Sequence, residues 1–287
     1  MQGELSSLLI EMTTQTYFIN LDRAPSRREH MLELFATLDL TAERIPAVDG
    51  RLLTEEFCRS LNPIKPNNRL LTPGEIGCLL SHRGVWQKIA SAEAPFGLVF
   101  EDDVVFSKDV GKFLKDLSWV PSDVDFVKLD ACHLPVELGP DRAFGDQERA
   151  LRYARTVMIG TAGYLISKRC AQQLLERTTE LRDAADTFMF EPRYKTIAPF
   201  EIWQLYPAIC GQALGHDVTE DQRKDFEQSG LADERILRNR RTKRTNKLGW
   251  AKLWREIVRP IRKARLRPRD LLNRLWWKTT FCTVPFR

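Results

Sequence analysis

No apolar run in this chain of 287 residues approaches the about 18 residues that a membrane-spanning helix requires, so no such helix is expected. Near the N-terminus, Ser6-Ser-Leu-Leu-Ile10 lacks a basic flank and a convincing cleavage site, which argues against a secretory signal. Internal repeats are absent. The six cysteines, Cys58, Cys78, Cys132, Cys170, Cys210 and Cys282, are scattered without a CxxC pair. Reduced structural thiols in a cytosolic compartment are therefore expected in preference to a disulfide framework or a zinc site. A second cluster rich in Asp and His, of the kind used by two-metal hydrolases, is also missing.

What is present suffices for a core: 43% of the residues are hydrophobic, and the length suits one sizeable α/β domain with an appendage. Thr16-Tyr-Phe-Ile-Asn-Leu21 reads as a strand, followed by Asp22-Arg-Ala-Pro-Ser-Arg27-Arg28 and a helix carrying Met31, Leu32, Leu34, Phe35 and Leu38. Thr72-Pro-Gly-Glu75 has the N-cap, the first-turn proline and the third-position glutamate of a capping box, which predicts a helix running to about Ala92. Asp123–Asp130 and Gly160–Ser167 read as further strands, the second leading into a helix with Ala171, Leu174 and Leu175. The polar stretch from Pro135 to Arg149, punctuated by Gly139-Pro140 and Gly145, reads as a mobile loop. Alternating strands and helices predict an α/β sheet.

The stretch that points most directly to chemistry is Phe96-Gly-Leu-Val-Phe100-Glu-Asp-Asp-Val-Val-Phe106, an apolar strand that ends in three carboxylates. Strand alternation would put Glu101 and Asp103 on one side and Asp102 on the other. Such carboxylates repel unless a cation lies near them, and Mg or Mn prefers carboxylate and phosphate oxygens. The alternative is a solvated turn. Where the first strand ends, Arg23, Arg27 and Arg28 either meet an anionic ligand or form a solvated helical turn.

Charge is unevenly spread. Residues 235–287 hold 18 Lys and Arg against Glu256 and Asp270, a net of +16, which leaves −11 for residues 1–234 of a chain whose total is +5. Trp250, Trp254, Trp276 and Trp277 interleave with these basic residues. That pattern favours an anionic membrane surface over nucleic acid or plain disorder.

Taken in order, Ile19-Asn-Leu-Asp-Arg23, Arg27, Ala47-Val-Asp-Gly50, Gly74-Glu-Ile-Gly-Cys-Leu-Leu-Ser-His82 with Trp86, Phe100-Glu-Asp-Asp-Val104 and Gly160-Thr-Ala-Gly-Tyr-Leu-Ile-Ser167 resemble glycosyltransferase family 25. Its bacterial members are lipooligosaccharide β-galactosyltransferases. The likeness continues through Asp186-Thr-Phe-Met189 and Gln204-Leu-Tyr-Pro-Ala-Ile-Cys-Gly-Gln212. It implies a GT-A-like α/β nucleotide-sugar-binding domain over residues 16–217. An N-terminal extension (1–15) would precede it, and a linker (218–234) and a basic, partly helical tail (235–287) would follow. The implied reaction carries a hexose, usually galactose from UDP-galactose, to a saccharide hydroxyl of a lipid-linked oligosaccharide, with inversion and with Mn or Mg. It would take place on the cytoplasmic face of the inner membrane.

The same resemblance suggests roles. Asp103, with Glu101 and His216, would ligate the metal, and Asp102 would help to position it or the ribose. Asn20, Arg23, Arg27, His82, Gly160, Thr161 and Gly163 would meet the donor, and Asp186 would be the general base. Against these stand plainer readings: His82 as a buried, satisfied histidine, the glycines as packing positions, and Asp186 as a surface residue at a helix start. Other functional classes remain a metal-dependent phosphoester hydrolase and a binding module acting through the tail.

Overall fold

A computed structural model describes residues 14–61, 71–144, 148–179, 183–190, 201–213 and 279–287. In chain order these form β1 (Gln15–Asn20), α1 (Pro25–Thr37), β2 (Glu43–Pro46), a 3-10 turn (Gly50–Leu52), α2 (Glu55–Leu61), α3 (Pro73–Ser91), β3 (Phe96–Glu101), β4 (Val104–Phe106) and α4 (Gly111–Lys115). There follow β5 (Phe126–Lys128), β6 (Cys132–Ala143), β7 (Ala150–Ala154), β8 (Gly163–Ser167), α5 (Lys168–Arg177), α6 (Ala185–Phe190), β9 (Ile202–Tyr206), β10 (Cys210–Gln212) and β11 (Thr280–Val284). The α/β class read from the sequence is the class found.

Both faces of the central strands are apolar, so both need cover. Along β1, Tyr17 and Ile19 enter one core while Phe18 enters the other. The first core takes Ile76, Leu79, Trp86 and Ile89 from α3, with Leu174 from α5 and Phe190 from α6. The second takes Met31 and Phe35 from α1, with Phe113 and Leu114 from α4. Helices thus sandwich the sheet. The capping box of α3 is complete: Thr72 Oγ1 accepts from the Glu75 amide at 3.2 Å, and Glu75 Oε2 accepts from the Thr72 amide at 3.0 Å.

Among the described residues the main sheet runs β11-β6-β7-β9-β5-β8-β3-β1-β2, and a two-stranded sheet pairs β10 with β4. β1 is parallel to both of its neighbours, β2 and β3. The chain leaves β1 through α1 to β2 on one side, and later reaches β3 on the other through α3. A crevice opens where such connections diverge, at the carboxyl ends of the strands. Asn20 and Glu101, the last residues of β1 and β3, flank it.

Two expectations change. The stretch read as a mobile loop holds most of β6 and leads directly into β7; these two strands pair with each other, while β6 also pairs with β11 and β7 with β9. Pro140 lies where the β6–β7 register shifts between Leu138 and Asp141, an irregularity that accommodates a residue with no N–H to donate. The end of the stretch read as a basic tail is not peripheral either. Its residues Thr280–Val284 add β11 to the sheet, and the Arg287 carbonyl accepts from buried Arg149 at 3.0 Å. The positions from 214 to 278, with His216 and the four tail tryptophans, lie outside the described residues. None of the six cysteines is in a disulfide, and no helix among the described residues is long and apolar enough to cross a membrane.

Candidate active site

β3 ends at Glu101, and Asp102 and Asp103 form the turn into β4. Strand alternation therefore stops applying at Glu101, and the expected pairing of Glu101 with Asp103 on one strand face gives way to three separate environments. Glu101 Oε1 accepts from the Thr161 hydroxyl and lies 3.3 Å from His82 Nε2. Burial would raise its pKa, but these contacts outweigh burial and hold the carboxyl below its usual range. Asp102 accepts from Asn20 Nδ2 at 2.6 Å and pairs with Arg27 at 3.0 Å. Burial still keeps its pKa above the ordinary value.

Asp103 is the carboxylate in want of a partner. Its Oδ1 is buried with no hydrogen-bond partner among the described residues, and its Oδ2 meets Gln212 Nε2 only at 3.5 Å. Burial, reinforced by the charges of Glu101 and Asp102, pushes its carboxyl up to about 8. A hard divalent cation would satisfy the orphaned oxygen and remove the electrostatic penalty, so the oxygen donors here fit Mn or Mg.

Two clefts meet at Glu101, beside Asp103. The first, of about 170 Å3, is lined by Arg23, Arg27, Asp49, Arg51, His82 and all three carboxylates. Asp49 accepts from Arg23 Nε at 2.6 Å and from the Arg51 amide at 3.0 Å, which fixes two arginines at the cleft wall. The loop carrying Asp49 is pressed against α3, where a Cβ on Gly77 would come within 2.5 Å of the Val48 carbonyl, so only glycine fits. Ser81 clamps the same contact by accepting from the Val48 amide at 2.9 Å.

The second cleft, of about 230 Å3, is lined by Glu75, Asp130, Gly160, Thr161 and Asp186, and shares Cys78, Glu101 and Gln212 with the first. Below it, fully buried Lys128 donates to Asp130 Oδ1 at 2.5 Å and to the Gly160 carbonyl at 2.7 Å, with its Nζ 4.8 Å from the Phe190 ring centre. Burial raises Asp130 to about 6 although Lys128 opposes the shift. Gly160 has φ +81°, and an added Cβ would stand 3.4 Å from Asp130 Oδ2. Asp186, in the first turn of α6, accepts from the Thr187 amide at 2.7 Å.

The structure therefore brings Arg23, Arg27, His82, Glu101, Asp102 and Asp103 to one cleft, and Gly160, Thr161 and Asp186 to the other. Asn20 stands behind them and holds Asp102. His82 is buried, with Nδ1 2.8 Å from the Tyr164 hydroxyl, which also accepts from Trp86 Nε1 at 3.0 Å. Gly163 lies in β8, where a Cβ would come 2.4 Å from Cys210 Sγ, and it lines neither cleft. Asp49, Arg51, Lys128, Asp130 and Gln212 belong to the site although the sequence expectations give them no role there; Asp49 and Gln212 stand in blocks that resemble the family. Phe126-Val-Lys-Leu-Asp130 nonetheless carries the signal that exposed Glu101, an apolar run ending in charge.

The sequence model of glycosyltransferase family 25, described as an LPS biosynthesis protein, matches residues 13–189. The lacto-N-neotetraose biosynthesis glycosyltransferase LgtE of Neisseria meningitidis serogroup B is 29% identical over 212 residues, 70% of this chain and 74% of that protein. The lipooligosaccharide biosynthesis protein lex-1 of Haemophilus influenzae is 28% identical over 222 residues, 74% of this chain and 72% of that protein. A solved glycosyltransferase involved in glycosylation of the major capsid of PBCV-1 aligns with a TM-score of 0.40 at 10% identity, covering 75% of this chain and 100% of its own.

Proposed function

Since the chain belongs to glycosyltransferase family 25, we propose that this glycosyltransferase moves a hexose, galactose from UDP-galactose, onto a saccharide hydroxyl during lipopolysaccharide or lipooligosaccharide synthesis. The single observation that carries the reading is the meeting of two clefts at Glu101, with the unpartnered Asp103 oxygen beside them. One cleft is lined by Arg23, Arg27 and Arg51 and suits a nucleoside diphosphate; the other is lined by carboxylates with no arginine among them and suits a hydroxyl acceptor.

In this scheme Arg23 and Arg51 face the diphosphate, while Arg27 and Asn20 hold Asp102 in place. Asp103, with Glu101 near it, would hold Mn or Mg, which supplies positive charge for the leaving diphosphate. Asp186 takes the proton of the acceptor hydroxyl, on the face opposite the leaving group, and the anomeric centre inverts. Thr161 and His82 keep Glu101 ionised and oriented at the junction. The basic stretch with its four tryptophans supports peripheral attachment to the cytoplasmic face of the inner membrane, where a lipid-linked acceptor would be reached.

Product analysis tests the reaction. The full chain is incubated with UDP-hexoses, a lipooligosaccharide acceptor and Mn or Mg, and the products are identified by mass spectrometry and anomeric NMR. A new glycosidic bond of inverted configuration, formed best from UDP-galactose, is expected. Release of sugar phosphate and nucleoside monophosphate with no glycoside would instead favour the hydrolase reading.

A further inference from the structure

We propose that Cys78, His82 and Glu101 form a binding site for zinc or a similarly thiophilic divalent cation, next to the oxygen-donor position at Asp103 and distinct from it in its donors. Cys78 and His82 are four residues apart on α3 and so project from one face of the helix, one turn apart. Glu101 reaches them from the end of β3. One ligand atom of each (sulfur, ring nitrogen and carboxylate oxygen) lies within 4.8 Å of the other two.

The spacing can be compared with what zinc requires. Bonds of about 2.0–2.2 Å to nitrogen and oxygen and about 2.3 Å to sulfur, at tetrahedral angles, set ligand atoms about 3.3–3.6 Å apart. His82 Nε2 and Glu101 Oε1 already stand 3.3 Å apart. The sulfur has to close at most about 1.2 Å from its 4.8 Å bound, within reach of rotation about the Cys78 Cα–Cβ bond. Supporting contacts are also in place. The Tyr164 oxygen, 2.8 Å from His82 Nδ1, can accept the N–H that a zinc-bound imidazole turns outward, and the Thr161 hydroxyl steadies Glu101.

Donor chemistry separates the two positions. A thiolate and an imidazole select zinc, whereas Mg and Mn favour oxygen donors like those around Asp103. When zinc binds, the Cys78 thiol releases its proton to solvent and the metal–sulfur bond replaces the S–H bond. Cys78, His82 and Glu101 line the first cleft, so the fourth zinc position faces it and stays open to water. No CxxC spacing announces such a site, because a Cys–His pair four residues apart on α3 is joined by a glutamate from β3. The inference does not depend on the transfer reaction, and either can fail alone.

The test uses the full chain stripped of metal by chelator and then titrated with Zn2+ by calorimetry and with Co2+ by absorption. Wild type is expected to bind one zinc, and Co2+ should produce a thiolate-to-cobalt charge-transfer band. C78S should lose that band and bind zinc at least about 10-fold more weakly, while D103N retains both. Absence of zinc uptake by wild type, survival of the band in C78S, or its loss in D103N would overturn the proposal. A second measurement needs no variant: zinc should protect Cys78 of the wild-type chain from alkylation, read by peptide mass spectrometry, and Mg should not. Equal labelling with and without zinc would also overturn it.

Discussion

Arg27 and Asp102 form an ion pair of 3.0 Å with both side chains buried. The family resemblance assigns Arg27 to the donor, and the structure gives it a carboxylate partner that lines the same cleft. Removing one member of a buried pair strands the other charge in a poorly solvated place. R27A is therefore expected to destabilise the chain by about 3–5 kcal/mol, and the double variant R27A/D102A by less than the sum of the singles. Urea denaturation checks this, and a loss below about 1 kcal/mol for R27A would refute the importance of the pair.

D103N keeps the shape of the side chain and removes its charge. Transfer is expected to be abolished with the fold intact, and Mn affinity to fall at least about 10-fold. Activity within about threefold of wild type at low Mn would remove Asp103 from the metal site.

The same carboxylate sets a pH dependence in chelator. Its folded pKa stands at about 8, above an ordinary 3.8, so between those values the folded chain holds a proton that the unfolded chain has released. Stability from this group is complete below about pH 4 and is lost as pH rises through about 8. Urea midpoints measured with chelator should fall across this interval more steeply for wild type than for D103N, and Mn should restore wild type at the alkaline end. Parallel profiles for the two proteins would contradict it.

D186N is expected to lower kcat by about 100-fold to 10,000-fold while leaving donor affinity nearly unchanged. Steady-state kinetics with a soluble acceptor decides. A rise in KM alone would make Asp186 a binding residue and shift the role of base to Asp130, on the same cleft.

Cutting the chain at Glu234 removes β11 and the Arg287 carbonyl that accepts from Arg149, so it should lower Tm and turnover of a soluble acceptor together. Membrane attachment is better tested by replacing Trp250, Trp254, Trp276 and Trp277 with serine, which leaves β11 in place. That protein should lose much of its co-sedimentation with anionic liposomes and keep soluble turnover. Unchanged sedimentation would count against the tail as a membrane anchor.

Local signals carried much of this protein in the sequence itself. Thr72 and Glu75, three residues apart, cap their own helix, and the apolar run Phe96–Phe100 ends in carboxylates at the mouth of a crevice, because both patterns act within a few residues. Only the tertiary structure could decide what depends on distant partners. Pro135–Arg149 looks like a loop by its prolines and glycines, yet it holds most of β6, because part of that strand's pairing comes from Thr280–Val284. Glu101, Asp102 and Asp103 are alike in sequence and unlike in chemistry. Asp102 is held by Asn20, 82 positions away, Glu101 is held by Thr161, 60 positions away, and Asp103 keeps one buried oxygen without a hydrogen-bond partner among the described residues. Charge cost depends on neighbours in space, and folding alone assigns those neighbours.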